Sequence, residues 1–186
     1  MKEKLYVLAG GVQGICNELH MHEGRIKKVN LTLHEGSGLC VKVIGNKKDL
    51  LSPQAKRALV WLRSYQEKSF DPFLVGDLVD RAELTSLEKK ALVEMAKIPF
   101  GQVKTYGELG CDLGSSNYAR FIGSVCRKNP FPLFIPCHRV VKAHAMGAFT
   151  PGVQIKERLL AHEGALSPRD ANRRTANGIQ IRRISA

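Results

Sequence analysis

The first quarter of the chain consists of short hydrophobic runs that predict a β-sheet. Val29, Leu31 and Leu33 alternate with polar residues, which is the pattern of a strand with one face toward solvent. Turns that contain glycine separate the runs from one another. The pattern therefore predicts strands over residues 5–8, 15–21, 26–33 and 39–44.

The hydrophobic spacing changes to that of a helix after these strands. Ser52 supplies a capping hydroxyl, and Pro53 suits a first helical turn because its missing N–H group needs no partner there. The residues expected on the buried face of this helix are Ala55, Ala58, Leu59, Leu62 and Tyr65. Proline and glycine interrupt the pattern over 70–79, so we expect an extended segment there.

The second half of the chain contains two capping boxes. Thr85-x-x-Glu88 and Thr105-x-x-Glu108 each combine a hydroxyl with a carboxylate three residues later, a pair that satisfies free N–H groups at a helix start. The first of these helices must stop ahead of Pro99. Its buried face is expected to carry Leu87, Ala91, Leu92 and Met95.

A third helix follows a turn that contains Gly114. Ser115 or Ser116 caps this helix, which runs to about residue 128. Its inward face is expected to carry Tyr118, Phe121, Ile122 and Val125. Its outer face combines cations with small residues: Arg120, Arg127, Ala119, Gly123 and Ser124. Two short helices joined by such a turn are typical of a helix-turn-helix motif, although an ordinary helical hairpin has the same pattern.

The charge of the chain favours a polyanionic partner. With 29 basic and 17 acidic residues the net charge is +12, so nucleic acid is the first candidate, and a basic protein without such a partner is the alternative. A basic helix face with small side chains can approach a groove closely and hold phosphates. It offers few groups that read base edges, so a sequence-specific repressor fits less well.

The remaining composition bounds the class of protein. A chain of 186 residues accommodates one domain or two small ones. It has no signal-like segment and no long apolar run, so we expect a soluble protein without membrane contact, cytoplasmic and associated with the nucleoid, or nuclear if the organism is a eukaryote. Five cysteines without a Cys-x-x-Cys pair fit a reducing compartment. Cys16, His20 and His22 match no common zinc spacing, so we predict no metal site.

Cys137 is the strongest candidate for chemistry. It lies in the apolar run 131–141 with His138 beside it, which combines desolvation with a nearby proton acceptor. A buried cysteine is more often an inert core residue, and a cysteine hydrolase would use the same pair of residues. These alternatives stay open on the two residues alone.

The residues around Cys137 extend the pattern and make it specific. The motifs are Pro136-Cys137-His138-Arg139-Val140, Ile98-Pro99-Phe100-Gly101, Lys104-Thr105-Tyr106-Gly107, Ala119-Arg120, Asn129-Pro130, Gly152, Lys156, Leu159-Leu160 and Glu163-Gly164. In this order and spacing, residues 98–164 closely resemble the DNA-binding catalytic domain of the O6-alkylguanine-DNA alkyltransferases, also called methylated-DNA–protein-cysteine methyltransferases.

The resemblance implies a fold of two parts. An α/β N-terminal domain, with a small antiparallel sheet and a helix, would occupy residues 1–80. A mostly α, winged-helix-like domain with the helix-turn-helix would occupy residues 81–164 and carry DNA binding and catalysis. Beyond the resemblance, residues 165–186 are polar and basic, so we expect a flexible tail there.

The resemblance also implies an activity. The family transfers the alkyl group of O6-alkylguanine in duplex DNA irreversibly to its own cysteine, here Cys137, once per molecule and without a cofactor. It binds the minor groove largely independently of sequence and flips the damaged nucleotide out of the stack. We expect a monomer. The alternative is a non-catalytic binder of alkyl-damaged DNA, a type of relative in which the cysteine is replaced.

Individual roles follow from the same resemblance. His138 would relay the thiol proton through water, Glu163 would orient His138, and Tyr106 would donate a proton or hydrogen bond to the departing guanine. Asn129 would tie the helix-turn-helix to the active-site segment. The residues implied at the DNA are Ser116, Ala119, Arg120, Ser124 and Arg127, with Arg120 filling the gap left by the flipped nucleotide. Those implied at the base are Val140, Phe149 and Thr150.

The loop over 148–152 departs from the family pattern. The family commonly reads Gly-Tyr-Ser-x-Gly there, whereas this chain reads Ala148-Phe149-Thr150-Pro151-Gly152. Phe149 keeps a pocket wall but lacks a hydroxyl, and Pro151 stiffens the turn. We expect methylguanine to be repaired well and benzyl-type substrates less predictably.

Overall fold

The computed structural model describes residues 2–69, 75–80 and 83–166, which form two compact units. The division falls between Leu74 and Val75, whereas the sequence places the domain boundary between residues 80 and 81. Each unit has its own secondary structure and its own core.

A four-stranded sheet forms most of the first unit, as the hydrophobic runs predict. The strands are β1 (Lys2–Leu8), β2 (Ile15–His22), β3 (Arg25–Leu33) and β4 (Leu39–Gly45), in the order β1-β4-β2-β3. Val29 and Leu31 are buried, in keeping with the alternation, but Leu33 is 44% exposed because it ends its strand.

The sheet is mixed rather than antiparallel, and the connection after β3 explains why. β3 ends with Leu33 opposite Ile15, and β4 begins with Leu39 opposite the same residue on its other side. Residues 34–38 therefore leave and re-enter the sheet at one end, so that β4 runs parallel to β2. The prediction of an antiparallel sheet is wrong at this pairing, while the β1–β4 and β2–β3 pairings are antiparallel.

Two helices follow the sheet. α1 (Lys47–Leu50), which the hydrophobic pattern does not predict, is capped by Asn46. α2 (Pro53–Gln66) begins where the Ser52 hydroxyl accepts a hydrogen bond from the N–H of Ala55 at 3.2 Å. Leu59, expected on the buried face, is only half-buried. The buried residues of α2 are Ala55, Ala58, Trp61, Leu62, Tyr65 and Gln66.

The second unit is mostly helical. Its helices are α3 (Val75–Asp80), α4 (Ser86–Ala96), α5 (Tyr106–Asp112), α6 (Ala119–Lys128) and α7 (Val153–His162), and its strands β5 (Lys104–Thr105) and β6 (Val140–Val141) form a parallel pair. A two-part fold, with a small sheet and helix before a helical part, is as predicted. In the described part of the chain, no helix is long and apolar enough to span a bilayer.

The helix α3 contradicts the extended segment expected over 70–79. Residues 75–80 are helical and pack against α4, and Leu78 and Val79 are buried. Tertiary packing outweighs the poor helix propensity of Gly76 here. The other part of that expectation, residues 70–74, lies outside the described residues.

Both capping boxes start helices, as predicted. The hydroxyls of Thr85 and Thr105 accept hydrogen bonds from the N–H groups of Glu88 and Glu108, whose carboxylates accept from the threonine N–H groups in return. Leu87, expected to be buried, is 39% exposed. Glu88 faces inward because its carboxylate caps the helix. Leu87 is its neighbour on the helix, so the Leu87 side chain points in a different direction. The buried residues of α4 are Glu88, Ala91, Leu92 and Met95.

The third predicted helix begins more tightly than expected. Ser115 caps a 3-10 turn, Ser116–Tyr118, which leads directly into α6. Of the four residues expected to face inward, Ile122 and Val125 are buried and the two aromatic residues are half-buried. α5 and α6 pack against each other, as the helices of a helix-turn-helix do.

The first two residues of the expected tail belong to the core of the second unit. Ala165 and Leu166 are 0% and 3% exposed and pack with Met146, Leu160 and Val103. A flexible tail from residue 165 is therefore wrong at its start, because these two side chains bury apolar surface. The rest of the tail lies outside the described residues.

Candidate active site

Cys137 lies in a buried connection between α6 and β6. Residues 131–141 are buried throughout, and residues 137–139 form a single 3-10 turn. β6 pairs with β5, with Thr105 opposite Val141. Because α5 begins immediately after β5, this pairing brings the cysteine segment beside the first turn of α5.

Asn129 holds this connection in place from the end of α6. Its side-chain oxygen accepts a hydrogen bond from the N–H of Phe131 at 3.0 Å, and its NH₂ group donates to the carbonyl of Ile135 at 2.9 Å. The same NH₂ group donates to the sulfur of Cys137 at 3.1 Å. The resemblance implies the backbone bonds, and the contact with the sulfur adds a direct link to the thiol.

The thiol of Cys137 is buried and protonated at neutral pH. The residue is 3% exposed. Desolvation raises the pKa of Cys137 to about 11, although the Asn129 hydrogen bond and the Lys156 ammonium act in the opposite direction. Because the thiolate is the nucleophilic form, such a thiol needs a base in order to react.

His138 and Glu163 form a buried pair next to this thiol. His138 Nε2 lies 2.7 Å from Glu163 Oε1, and both side chains are 0% exposed. Burial alone would raise the pKa of Glu163, but His138 and Arg139 lower it to about 2. The pKa of His138 is lowered, mainly by burial, although Glu163 acts in the opposite direction. At neutral pH the carboxylate is therefore charged and the imidazole neutral.

These protonation states determine the tautomer of His138. An ionised carboxylate only accepts hydrogen bonds. Nε2 must therefore carry the ring proton and donate a hydrogen bond to Glu163. The other nitrogen, Nδ1, is then an acceptor. It is buried and has no hydrogen-bond partner among the residues that the structure describes. Such a nitrogen can take a proton from a thiol directly or through one water.

Arg139 holds Glu163 from the other side, a role that the sequence analysis does not assign. Its Nε and Nη2 atoms donate to the two carboxylate oxygens at 2.8 and 3.0 Å, and Nη1 donates to the Ile98 carbonyl at 2.7 Å. Gly101 N–H donates to the same carboxylate at 3.3 Å. Gly101 has a φ of +77°, and a Cβ there would lie 2.8 Å from the backbone oxygen of Glu163. Arg139 and Gly101 both belong to the motifs around Cys137, and their place in those motifs is the feature of the sequence that indicates a role.

A cavity of about 880 Å³ is lined by neighbours of Cys137 and His138, although neither of these two residues is among its lining residues. Two lining residues, Tyr106 and Cys126, interact electrostatically with Cys137. A third, Phe149, packs its ring edge-on against His138 with centroids 6.3 Å apart. The volume falls within the range of sites that bind small organic molecules.

Tyr106 places a weakly engaged hydroxyl at this cavity. The hydroxyl donates to the carbonyl of Ala148 at 3.5 Å, which is long for such a bond. Burial raises the pKa of Tyr106 to about 12, so the group keeps its proton at neutral pH. Gly147 lies against the ring with a φ of +76°, where a Cβ would be 3.1 Å from the hydroxyl oxygen.

The residues expected at the DNA lie on α6 or in the turn before it. Arg120 and Arg127 are exposed and line the cavity, as does the half-buried Ala119. Ser124 is half-buried, and Ser116 is exposed on the 3-10 turn. The outer side of α6 therefore presents two cations beside small side chains.

The three residues expected at the base differ in position. Phe149 is 8% exposed and Thr150 is exposed, and both line the cavity. Val140 is wholly buried, and its carbonyl accepts a hydrogen bond from Lys156 Nζ at 2.7 Å. Lys156 belongs to the quoted motifs, but the sequence analysis gives it no role.

The first unit contains cysteine and histidine residues, which are potential metal ligands. Within residues 2–69, 75–80 and 83–166, no three His, Cys, Asp or Glu side chains come together as a metal site requires. The sulfurs of Cys16 and Cys40 lie 2.8 Å apart, and the His20 ring lies 3.0 Å from the Asn30 amide.

A family model matches part of the second unit. Residues 86–165 match the family model described as 6-O-methylguanine DNA methyltransferase, DNA binding domain. The match runs from α4 through α7 and contains Cys137, His138 and Glu163.

Several curated relatives carry one name, methylated-DNA–protein-cysteine methyltransferase. The protein of Methanosarcina acetivorans is 33% identical over 113 residues, which cover 60% of this chain and 69% of that protein. The human protein is 38% identical over 109 residues (56% and 53%), and that of Methanocaldococcus vulcanius is 38% identical over 94 residues (50% and 57%). The chain thus spans little more than half the length of the last two.

Solved structures share the two-part fold. Mycobacterium tuberculosis O6-methylguanine methyltransferase superposes with a TM-score of 0.53 at 20% identity, covering 84% of this chain and 96% of that one. Mycobacterium tuberculosis OGT in complex with DNA gives a TM-score of 0.52 at 21% identity, covering 86% and 85%. At these identities the likeness concerns the fold, and it confirms the predicted fold class.

Proposed function

This chain belongs to the family of methylated-DNA–protein-cysteine methyltransferases, and we propose that it repairs O6-alkylguanine in duplex DNA by transferring the alkyl group to Cys137, once per molecule. The observation that carries the proposal is the free acceptor Nδ1 of His138, which has no partner within the described residues. It belongs to a buried imidazole backed by an ionised Glu163, next to a protonated thiol and a cavity.

The proposed reaction is an in-line displacement at the alkyl carbon. His138 takes the thiol proton of Cys137 through Nδ1, and the Glu163 carboxylate stabilises the resulting imidazolium. The sulfur then forms a bond to the alkyl carbon as the bond between that carbon and O6 breaks, and the electron pair stays on the guanine. A proton returned to the guanine completes the balance. Thiol and alkylguanine thereby become thioether and guanine, with no route back.

Tyr106 assists the departure of the guanine. Its hydroxyl stays protonated at neutral pH and makes only a long bond to Ala148, which lines the cavity as Tyr106 does. Exchange of that bond for one to the base costs little, because a 3.5 Å contact contributes little. A donor at the base supports the negative charge that develops as the alkyl group leaves.

The outer side of α6 is the proposed DNA-binding surface. Ala119 and Ser124 let the helix approach the minor groove closely, while Arg127 meets phosphates largely independently of sequence. The O6 group lies inside the base stack, so the nucleotide must rotate into the cavity, and Arg120 fills the gap. The net charge of +12 supports this assignment. A protein of the same fold, Mycobacterium tuberculosis OGT, has been solved in complex with DNA.

The loop beside the cavity sets the range of alkyl groups. Phe149 packs against His138, so an alkyl group directed at Cys137 lies near this ring. Thr150 is exposed at the cavity and can yield to a larger group. All of these groups belong to one unit of one chain, so we propose that the protein acts as a monomer.

The test is the intact mass of the protein after incubation with excess duplex oligonucleotide that contains one O6-methylguanine. We expect one equivalent of methyl transfer, a gain of about 14 Da, in the wild type and none in Cys137→Ala. Cys111→Ala is the matched control, because Cys111 is an exposed cysteine elsewhere in the same unit. It should gain the methyl group like the wild type.

Two results would contradict the proposal. A wild-type protein that binds the damaged duplex without a gain in mass would instead be a binder of alkyl-damaged DNA. A protein that turns over an ester or peptide through Cys137 and leaves the duplex unchanged would be a cysteine hydrolase.

A further inference from the structure

Lys156 is a wholly buried lysine that the proposed chemistry leaves unused. It lies on α7 and is 0% exposed. Lysines are seldom fully buried unless they are paired, because removal of the ammonium group from water is unfavourable. Within the described residues its one hydrogen bond goes to a neutral group, the Val140 carbonyl at 2.7 Å, and it has no carboxylate partner. A cation in such a place calls for an explanation beyond packing.

Its position links it to the reactive cysteine through the backbone. The carbonyl of Val140 accepts from the lysine, and the N–H of Val140 donates to the carbonyl of Cys137. Two hydrogen bonds therefore connect the ammonium group to the cysteine residue. Together they hold the far end of the turn that carries the thiol.

The charge of the lysine also acts on the side chains around it. The titratable groups that face it are Cys137, Cys126 and His138. Desolvation raises the pKa of Cys137, and the ammonium group opposes that rise. The same charge contributes to the lowered pKa of His138 and so favours its neutral, proton-accepting form. Both effects favour loss of the thiol proton.

We propose that Lys156 is a positioning residue for alkyl transfer, whose ammonium group is the counter-ion of the Cys137 thiolate and whose bond to Val140 fixes the turn that directs the sulfur. This inference rests on the proposed function. In the resting protein the lysine is a buried cation beside a neutral thiol. Once the thiol proton leaves, the negative sulfur and the positive ammonium group compensate each other. Burial opposes ionisation of a cysteine alone, but it strengthens the attraction within this ion pair.

The lysine and the thiol should titrate as a coupled pair. Burial lowers the pKa of Lys156 to about 8, while Cys137 and Cys126 act in the opposite direction. The pair of groups therefore loses its first proton near pH 8, and this apparent pKa belongs to the pair rather than to either group. The rate of transfer should rise up to about pH 8 and then level, because the fraction with charged lysine and thiolate becomes constant.

The experiment measures single-turnover methyl transfer as a function of pH, with saturating duplex that contains O6-methylguanine. In Lys156→Met we expect a rate at neutral pH at least about tenfold below that of the wild type. Without the counter-ion, the rate should keep rising about tenfold per pH unit beyond pH 8, because the thiolate fraction still grows. Lys156→Arg keeps the positive charge, so its rate at neutral pH should stay close to that of the wild type, but its profile should not level near pH 8 because arginine does not lose its proton there. Arg158→Met removes an exposed cation from the same helix and should follow the wild type.

A second measurement is independent of DNA. The ultraviolet absorbance of the Cys137 thiolate, obtained as the difference between each protein and its Cys137→Ala form, reports the titration of the thiol itself. We expect its midpoint to lie higher in Lys156→Met than in the wild type. Thermal unfolding of each variant shows whether it is folded, and Lys156→Arg alone decides the matter if Lys156→Met does not fold.

The outcomes separate this inference from the proposed function. A Lys156→Met profile parallel to that of the wild type, or an unchanged thiolate midpoint, overturns the role of Lys156. So does a Lys156→Arg profile that still levels near pH 8, because the levelling would then not come from the lysine. Absence of methyl transfer in the wild type overturns the proposed function instead.

Discussion

Glu163 accepts hydrogen bonds from three residues in two separate parts of the chain. Its carboxylate binds the ring of His138, two nitrogens of Arg139 and the backbone N–H of Gly101. A buried guanidinium is tolerated only when its charge and its donors are satisfied. The carboxylate therefore serves two purposes, since it fixes the tautomer of the base and it neutralises a buried arginine.

Replacement of Glu163 by glutamine should therefore affect folding as well as chemistry. We expect Glu163→Gln to lower the free energy of unfolding by about 3–5 kcal/mol, the usual effect of removing one partner from a buried ion pair. Urea denaturation measures the difference. Glu94→Gln removes the surface partner of Lys97 and should change stability by less than about 1 kcal/mol. Equal effects of the two substitutions would mean that the buried pair is not a structural contact.

The same carboxylate predicts how stability depends on pH. The pKa of Glu163 is lowered from 4.5 to about 2 in the folded protein, so folding favours its charged form. This contribution is fully present above the unfolded pKa and is lost as the pH falls toward 2. We expect the stability of the wild type to decrease below about pH 5 more steeply than that of Glu163→Gln. Parallel curves of unfolding free energy against pH would contradict this assignment.

The two capping boxes offer a comparison between otherwise similar helices. α4 and α5 both begin with a threonine hydroxyl that accepts a hydrogen bond from the N–H of a glutamate three residues later. Only α5 begins with a residue of the site, because Tyr106 follows Thr105 directly. The local signal is the same, and the consequences for the reaction differ.

Loss of either cap should cost a similar amount of stability. We expect Thr85→Ala and Thr105→Ala each to lower the free energy of unfolding by about 1 kcal/mol, as is typical for loss of an N-cap hydroxyl. Only Thr105→Ala should also slow methyl transfer, because Tyr106 loses its fixed position. Denaturation and single-turnover transfer measured on both variants test this. Equal transfer rates in the two variants would show that the start of α5 does not position the tyrosine.

Local signals in the sequence identify the elements that depend on local interactions. The caps at Ser52, Thr85 and Thr105 involve neighbours within three residues, and their helices begin where the sequence predicts. The helix α3 depends on tertiary packing against α4, and the burial of Leu166 depends on packing with Met146 and Val103. The hydrophobic pattern contains no information on those contacts, and its predictions are wrong at both places.

The site divides in the same way. The motif around Cys137 indicates the thiol and the imidazole, because cysteine and histidine are residue types that commonly act as nucleophile and base. Arg139, which neutralises the charge of Glu163, and the burial of Lys156 become apparent only when residues 139–140 pack against residues 156–163. An arginine and a lysine in a basic protein read as surface residues until their surroundings are known.

The net charge of +12 belongs to the chain as a whole, but only part of it faces the proposed DNA surface. Long-range attraction brings DNA to any basic surface, whereas phosphate contacts release counter-ions from the duplex in proportion to their number. The slope of log affinity against log salt concentration therefore reports how many cations contact phosphate groups.

Substitution of one such cation should change the salt dependence by about one contact. We expect Arg127→Ala to reduce the slope of log affinity against log salt by about 0.9. Lys90→Ala removes an exposed lysine from α4 and should leave the slope unchanged. Fluorescence anisotropy with an undamaged duplex over a series of salt concentrations measures both. A similar change in the two variants would place the DNA contacts elsewhere than on α6.

Substitutions on the two sides of this site differ in how much of the protein they disturb. A substitution at Glu163 disturbs the base, the arginine and the turn at Gly101 in a single step, so it removes reactivity and folding together. The loop on the other side of the cavity contributes a packed ring at Phe149 and an exposed side chain at Thr150, which can change one at a time. Descendants of this protein should therefore diverge in the lesions they accept much sooner than in the way they remove them.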